Sequence, residues 1–231
     1  MKENKIYDQN WKDIYESGKM LNKYPFDILV SFAFRQFAGI KDKSKIKVLD
    51  IGCGAGNNSW FLAKEGFDIT AIDFSEEAIN FAKNRFKNEN LTGKFYQKNF
   101  LEIADLQEKY DFIIDREALY TQDYKDLKII LKSRENKLTE KGVFISFFYN
   151  IQNPIKQFYN KTENNITFYP DNENNTVFGK RASFLDEKSV KELFYLFDYE
   201  LYNHLIIPVK IKNDILTGMG EYIIICKKNT Y

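Results

Sequence analysis

The chain is poor in the residues that build metal sites and disulfide scaffolds. It has two cysteines, Cys53 and Cys226, and one histidine, His204, in 231 residues. No CxxC pair occurs, and no His, Cys and carboxylate spacing suits a metal ion, so neither a disulfide framework nor a metal centre is expected. Runs of like charge are also missing. The net charge is +1 and the longest basic pair near the end is Lys227-Lys228, so a nucleic-acid partner lacks its usual electrostatic footprint. Long apolar runs are absent too. The stretch Val143 to Tyr149, interrupted by Ser146, is far short of the ~20 residues that span a bilayer. The residues after Met1 are polar, with no apolar stretch like that of a signal peptide. These absences predict a cytoplasmic protein with no membrane partner.

What the chain has is apolar bulk. Hydrophobic residues make up 44% and aromatics 16%, with Phe and Tyr far outnumbering Trp. That is enough to bury a sizeable core and excludes a disordered chain. Strand-like and helix-like segments alternate from Lys45 onward. Lys47 to Ile51 reads as a buried strand, and a helix follows near Asn57 to Glu65, closed by Gly66. Asp68 to Asp73 reads as a second strand, and Ser75 as the N-cap of the next helix, with Glu76 and Glu77 in its first turn. Strands are expected at Lys94 to Gln97, Tyr110 to Asp115 and Gly142 to Tyr149, and a helix at Tyr124 to Leu138. Asp186 to Phe197 reads as an amphipathic helix, and Leu201 to Val209 with Glu221 to Lys227 as a closing strand pair. This alternation predicts an α/β fold: a Rossmann-like, doubly wound, mostly parallel seven-stranded sheet with an antiparallel last strand. Residues 1–44 read as a helical extension or cover, and 45–231 as the main domain. An insert at 150–182, with eight Asn and several aromatics, reads as a substrate lid or a disordered loop, its aromatics favouring the lid.

The richest local pattern is Asp50-Ile51-Gly52-Cys53-Gly54-Ala55-Gly56, at a strand-to-helix turn. Glycines there let a ligand approach the backbone. A dinucleotide loop calls for G-x-G-x-x-G, but Asn57 stands at the third glycine position. Asp50 is a poor neighbour for a pyrophosphate and a good one for a cation. Asp73, ending the second strand, has acceptor sites for both hydroxyls of a ribose. Together the two acids favour S-adenosyl-L-methionine, which carries an ammonium and a sulfonium, over NAD.

Val48 to Gly56 resembles the first motif of class I S-adenosylmethionine-dependent methyltransferases, and Asp73-Phe74-Ser75 resembles the family's acidic residue at the second strand's end. The order of elements from Lys45 to Lys227 is similar as well. The resemblance implies residue roles. Asp50, Gly52, Cys53 and Gly54 would line the methionine moiety, Asp73 would hold the ribose, and Phe74 would lie beside the adenine. Asn99 and Phe100 match the position near the adenine amine, although Asn99 stands where the family often has an acid. Asp115 matches the position facing the methyl group. Trp11, Tyr15, Gly18, Tyr24 and Pro25 resemble the lead segment of small-molecule and sugar methyltransferases found with bacterial surface-glycan genes. Trp11 and Tyr24 would then cover the methionine, where an aromatic face can hold a sulfonium.

Other readings of these residues stay open. Asp73 also suits the cap of the following helix, Trp11 and Tyr24 suit an extra helical layer, and Asp115-Arg116-Glu117 suits a surface ion-pair cluster. For chemistry, Asp115, Arg116, Glu117 and Tyr120 are the candidate catalytic residues, with His204 a further candidate base. The run [D/N/S]-P-P-[Y/F] of nucleic-acid amino-methylases is absent, since Asp115 is followed by Arg116-Glu117-Ala118. A small-molecule or sugar-linked acceptor is therefore expected. The rival readings are an NAD-dependent oxidoreductase, a non-catalytic nucleoside-binding module on the same fold, and an aminopropyl transferase.

Overall fold

The computed structural model describes residues 11–161, 165–170, 181–206, 210–211, 214–215 and 219–228. A helical stretch at 11–16 (α1) precedes helix α2, Asp27–Gln36. Then come β1 (Lys47–Ile51), α3 (Asn57–Lys64), β2 (Asp68–Asp73), α4 (Glu76–Asn88), β3 (Lys94–Gln97), β4 (Tyr110–Arg116), α5 (Tyr124–Lys137) and β5 (Leu138–Tyr149). The second half holds β6 (Tyr159–Lys161), β7 (Thr167–Pro170), β8 (Ala182–Ser183), α6 (Glu187–Leu193), β9 (Phe197–Ile206), β10 (Lys210–Ile211), β11 (Asp214–Ile215) and β12 (Met219–Lys228).

Seven strands form the main sheet in the order β3-β2-β1-β4-β5-β12-β9. β1 pairs in parallel with β2 and β4, whereas β12 runs antiparallel to both β5 and β9. This is the expected doubly wound sheet, with the last strand of the chain reversed. Each parallel strand is covered on two faces, which is why β1 and β2 are buried almost from end to end. On one face Val48, Ile69, Phe112 and Ile145 pack with residues of α2, α3 and α4; on the other Leu49, Ile72, Ile113 and Phe144 pack with α5 and α6. Ser75 caps α4 as expected, its hydroxyl accepting from the Ala78 amide at 3.2 Å. No described helix is long and apolar enough to cross a membrane.

Three elements differ from their expected extents by four residues, β9 among them, which begins at Phe197 rather than Leu201. α6 stops at Leu193, because Phe194 and Phe197 turn into the core and Phe197 opens β9 by pairing with Lys228. β5 begins at Leu138, before Gly142, and absorbs its extra length as a register irregularity against Tyr110 and Phe112 of β4. The expected strand end at Val209 lies outside the described residues, as do 162–164 and 171–180 of the expected lid. What is described of that insert is a three-stranded sheet, β6-β7-β8, whose Tyr159, Phe168 and Ala182 join the core.

Phe194 is the hub of that side of the core. Its ring meets Phe144, Phe148, Phe197 and Tyr199 at centroid distances of 6.4, 6.1, 6.3 and 6.3 Å. Phe194→Ala is expected to cost ~3–5 kcal/mol of stability, read as a lowered urea midpoint with an unchanged slope.

Candidate functional site

The strand order reverses between β1 and β4, and ligands of such sheets bind at the carboxyl edge of that reversal. Here the loop after β1 and the turn after β4 meet face to face. Gly52 and Cys53 both donate their amides to Ile72 O, at 2.8 and 3.0 Å, and Gly54 donates its own to Asp73 Oδ2 at 2.9 Å. The loop is thereby tied to the end of β2. Gly52 has φ +67°, and a Cβ there would lie 2.1 Å from the Ala118 Cβ, so only glycine lets the two segments close. A Cβ on Gly54 would lie 2.6 Å from the Tyr15 hydroxyl, which brings α1 over the loop.

These segments bound a cavity of about 310 Å³. One end is lined by Gly52, Cys53, Gly54, Asp73, Phe74 and Phe100, and Trp11 and Tyr15 also line it. Phe74 and Phe100 meet edge to face at 6.0 Å. The Trp11 indole N–H is buried and has no hydrogen-bond partner among the described residues. The other end is lined by Arg116, Glu117, Tyr120, Tyr149 and Met219.

Acids crowd the floor. Asp73 accepts from the Ser75 amide at 2.9 Å as well as from Gly54, yet burial outweighs these bonds and pushes its pKa up to about 6. Burial likewise takes Asp50 up to about 6, aided by repulsion from Asp73 and Asp115 and opposed by the Ser59 hydroxyl, which donates to Oδ2 at 2.6 Å. Burial also raises Asp115, against the pull of Arg134 and of its hydrogen bonds.

Four of the expected ligand contacts are not made at the cavity wall. Asp50 is buried and outside the lining, because its carboxylate is taken by the Ser59 hydroxyl of α3. Asp115 is fully buried; it accepts from the Ala118 and Leu119 amides at 3.0 Å and from the Ser146 hydroxyl, so it caps the turn after β4. Asn99 spends its side-chain oxygen on the Leu101 amide, 2.9 Å away, in a reciprocal cap with Glu102. The Tyr24 side chain is 68% exposed and lies outside the lining; its carbonyl accepts from Asn57 Nδ2 at 2.9 Å, which anchors the segment instead. His204 is also off the wall, bonded through Nδ1 to Glu221 at 2.9 Å.

Arg116 and Glu117 are not a surface ion pair. The Arg116 guanidinium is clamped between the Phe26 and Phe147 rings, 4.2 and 4.7 Å from their centroids. Its Nη1 touches Glu117 Oε1 and lies 3.3 Å from Glu221 Oε2. Burial opposes the Arg116 charge, but these two acids overcome it and hold its pKa above the ordinary value. Glu117 has φ +52°, a conformation unusual for a residue with a side chain, at the cavity wall. Burial takes its pKa up to about 7, with Arg116 opposing and Glu221 adding to the rise. Tyr120 packs on Tyr149 at 4.2 Å beside it. Glu221, Phe26 and Tyr149 were not among the expected site residues. Phe26 and Tyr149 reach the cavity wall from distant elements, and Glu221 stands behind the wall on Arg116; nothing in the local sequence of Phe26 or Glu221 marks them.

A family model for a methyltransferase domain matches residues 42–199. The chain belongs to this family. The Haemophilus influenzae protein named "Probable S-adenosyl-L-methionine-dependent methyltransferase TehB" is 35% identical over 94 residues, 40% of this chain and 32% of that protein. A ubiquinone biosynthesis O-methyltransferase of Actinobacillus pleuropneumoniae is 32% identical over 117 residues, 48% of each chain. The matched part of the chain thus spans about a third of one of these relatives and about half of the other. The crystal structure of TehB from Haemophilus influenzae superposes with a TM-score of 0.65 at 21% identity, over 94% of this chain and 67% of that one. A Burkholderia thailandensis 1,6-didemethyltoxoflavin-N1-methyltransferase, solved with its substrate and S-adenosylhomocysteine, gives 0.66 at 14% identity, over 99% and 90%. The expected fold of this methyltransferase family is therefore the fold observed, and the oxidoreductase reading gains no support.

The buried acids predict a pH dependence for the free protein. Asp50 and Asp73 have folded pKa values near 6, above the 3.8 of an unperturbed aspartate. Between those values the folded state binds more protons than the unfolded one, so their contribution to stability falls as pH rises through that window. Asp50→Asn removes one such group. Its urea midpoint is expected to gain on wild type steadily from pH 4 to 6.5, and parallel curves would contradict the assignment.

Proposed function

We propose that this methyltransferase-family chain binds S-adenosyl-L-methionine in the cavity and methylates a small-molecule acceptor held at its Glu117 end. The observation that carries this reading is the glycine loop tied to Asp73 above a floor of buried acids. A side-chain-free wall over concentrated negative charge fits a cationic nucleoside, and the three acids Asp50, Asp73 and Asp115 would all gain from its charge. The fit extends to the walls. Asp73 retains lone pairs for two ribose hydroxyls, Phe74 and Phe100 offer aromatic edges to an adenine, and Gly52, Cys53 and Gly54 leave room for the methionine chain. Trp11 brings an aromatic face and an indole N–H that has no partner among the described residues.

When bound, this cofactor supplies an electrophilic methyl group on a sulfonium. The chain's own residues then align the acceptor and keep water out. Tyr120, Tyr149 and Phe26 give the acceptor end flat apolar surfaces, and Glu117 gives it a carboxyl poised to change charge near neutral pH. The narrower form of the proposal is a sugar-linked acceptor, as in surface-glycan modification, for which the aromatic faces of Trp11, Tyr15 and Tyr120 are suited. α1 acts as a cover, supported by the closeness of Tyr15 to Gly54. The insert at 150–182 acts as a lid, supported by the packing of its Tyr159 and Phe168 rings, each at 5.6 Å, on Phe184, which in turn meets Tyr149 at 6.0 Å. A cytoplasmic setting is favoured by two buried free thiols, Cys53 and Cys226.

Calorimetry with S-adenosyl-L-methionine tests the reading. Wild type is expected to bind, and Asp73→Ala to bind roughly 10- to 100-fold more weakly, the scale of hydrogen bonds to a charged group. Equal affinities, or no binding by wild type, would overturn the proposal. Because Asp73 and Glu117 favour the cation only when ionised, wild-type affinity should also rise from pH 5.5 to 8, with protons released on binding.

A further inference from the structure

Ionisable side chains from three strands form a continuous line from the cavity wall to the protein surface. Glu117 lines the cavity. Beside it, Arg116 Nη1 is in contact with both Glu117 Oε1 and Glu221 Oε2, which brings the two carboxyls together. The second oxygen of Glu221, Oε1, lies 2.9 Å from His204 Nδ1. The His204 side chain is 35% exposed, so the line ends in solvent. Strand register sets this up. Glu221 on β12 stands opposite Tyr149 on β5 and opposite His204 on β9, in one cross-strand row at the carboxyl edge of the sheet.

The cluster has more acid than base. Glu221 is fully buried, and it and Glu117 share a single guanidinium. Two buried carboxylates on one arginine leave an excess negative charge, which is costly unless a proton joins them. The atoms at the junction carry that mark: Arg116 Nη1, Glu117 Oε1 and Glu221 Oε2 are shut off from solvent and make no hydrogen bond of good geometry. Tyr120 and Tyr149 are the other titratable groups facing Glu117; burial, with Glu117 adding to it, holds the Tyr149 phenol well above its usual range, so that it stays neutral.

We propose that Glu117, Glu221 and His204 form a proton exit, by which the proton lost from the acceptor's attacking atom reaches solvent on the β9 side of the sheet. This rests on methyl transfer at the cavity. The acceptor's O–H or N–H bond gives its proton to a Glu117 oxygen. The electron pair of that bond stays on the acceptor atom, which forms the new bond to the methyl carbon, and the pair of the broken S–C bond returns to sulfur. Glu117 hands its proton to Glu221, Glu221 to Nδ1 of the neutral imidazole, and the proton on Nε2 leaves to water. The ring then regains its starting tautomer by exchange with solvent. One proton leaves per methyl transferred, equal to the charge that the sulfonium loses. Arg116, pinned by Phe26 and Phe147, keeps its charge and holds the carboxyls in place. Glu221 and His204 are positioning and relay residues; of the three, Glu117 is the one that touches the acceptor. The arrangement also selects its substrate class: a neutral nucleophile that carries a proton, such as a hydroxyl or N–H, since a carboxylate or phosphate would face the paired acids.

His204 is the sole histidine of the chain, so its imidazole nitrogens give one unambiguous set of NMR resonances. With ¹⁵N-histidine-labelled full-length protein, the titration midpoint of His204 is expected to fall by roughly one pH unit in Glu117→Gln, the scale on which neighbouring sites couple. Glu117→Asn provides the same neutralisation with a residue suited to positive φ, should the glutamine variant fold poorly. In wild type, S-adenosyl-L-methionine added at pH 7 should move the His204 resonances, and in Glu117→Asn it should not. Identical His204 titrations in wild type and both variants would overturn the exit. Absence of any cofactor binding by wild type would instead strike the proposed function, while the variant titrations, which need no cofactor, would still judge the coupling.

Discussion

The site hangs on one carboxylate. Asp73 accepts from the Gly54 amide with one oxygen and from the Ser75 amide with the other, and so joins the loop after β1 to the helix after β2. The amides of Gly52 and Cys53, held by Ile72, complete the tie. Without it the glycine loop would lack a fixed path, since glycines give up more conformational freedom on ordering than other residues. With it, the loop stands close enough to Ala118 that any side chain on Gly52 would collide. The cavity wall is thus set by hydrogen bonds to an acid that burial makes costly to ionise.

That tension runs through the whole carboxyl edge of the sheet. Asp50, Asp73, Asp115, Glu117 and Glu221 are all buried or nearly so, against two arginines, Arg116 and Arg134. Arg134 lies over the Phe144 ring at 4.3 Å, and burial takes its pKa down to about 10 although Asp115 opposes this. A stability-optimised protein would not concentrate like charges in this way. The arrangement makes sense as preorganisation: the negative field is already in place, unscreened by water, for whatever positive charge enters. The cost falls on the free protein and is recovered on binding.

Much of this was readable in advance. Strand and helix extents in the parallel half followed from apolar runs and from Ser75, because buried parallel strands carry their hydrophobicity in consecutive residues. Gly52, Gly54, Asp73, Phe74, Phe100 and Trp11 were all expected at the ligand and line one cavity. The expected residues that fall outside the cavity lining share a common origin. Asp50, Asn99 and Asp115 stand within two residues of the cavity lining, but each has a nearer partner in Ser59, Leu101 or the turn at Ala118, and a local hydrogen bond occupies the side chain away from the wall. Tyr24 is displaced for the opposite reason: its carbonyl, not its ring, makes the contact.

The sequence by itself determined the order of elements, the glycine loop and its acid, because these depend on residues close along the chain and on backbone preferences that a few neighbours settle. Only tertiary structure decided the chemistry of the Glu117 end of the cavity. Arg116, Glu117, Tyr149, His204 and Glu221 come from four strands or their ends, and they meet through sheet register between β5, β12 and β9. Register is a long-range property, fixed by which whole faces bury together. No local pattern could show that an unremarked glutamate near the end of the chain would stand between a histidine and an arginine.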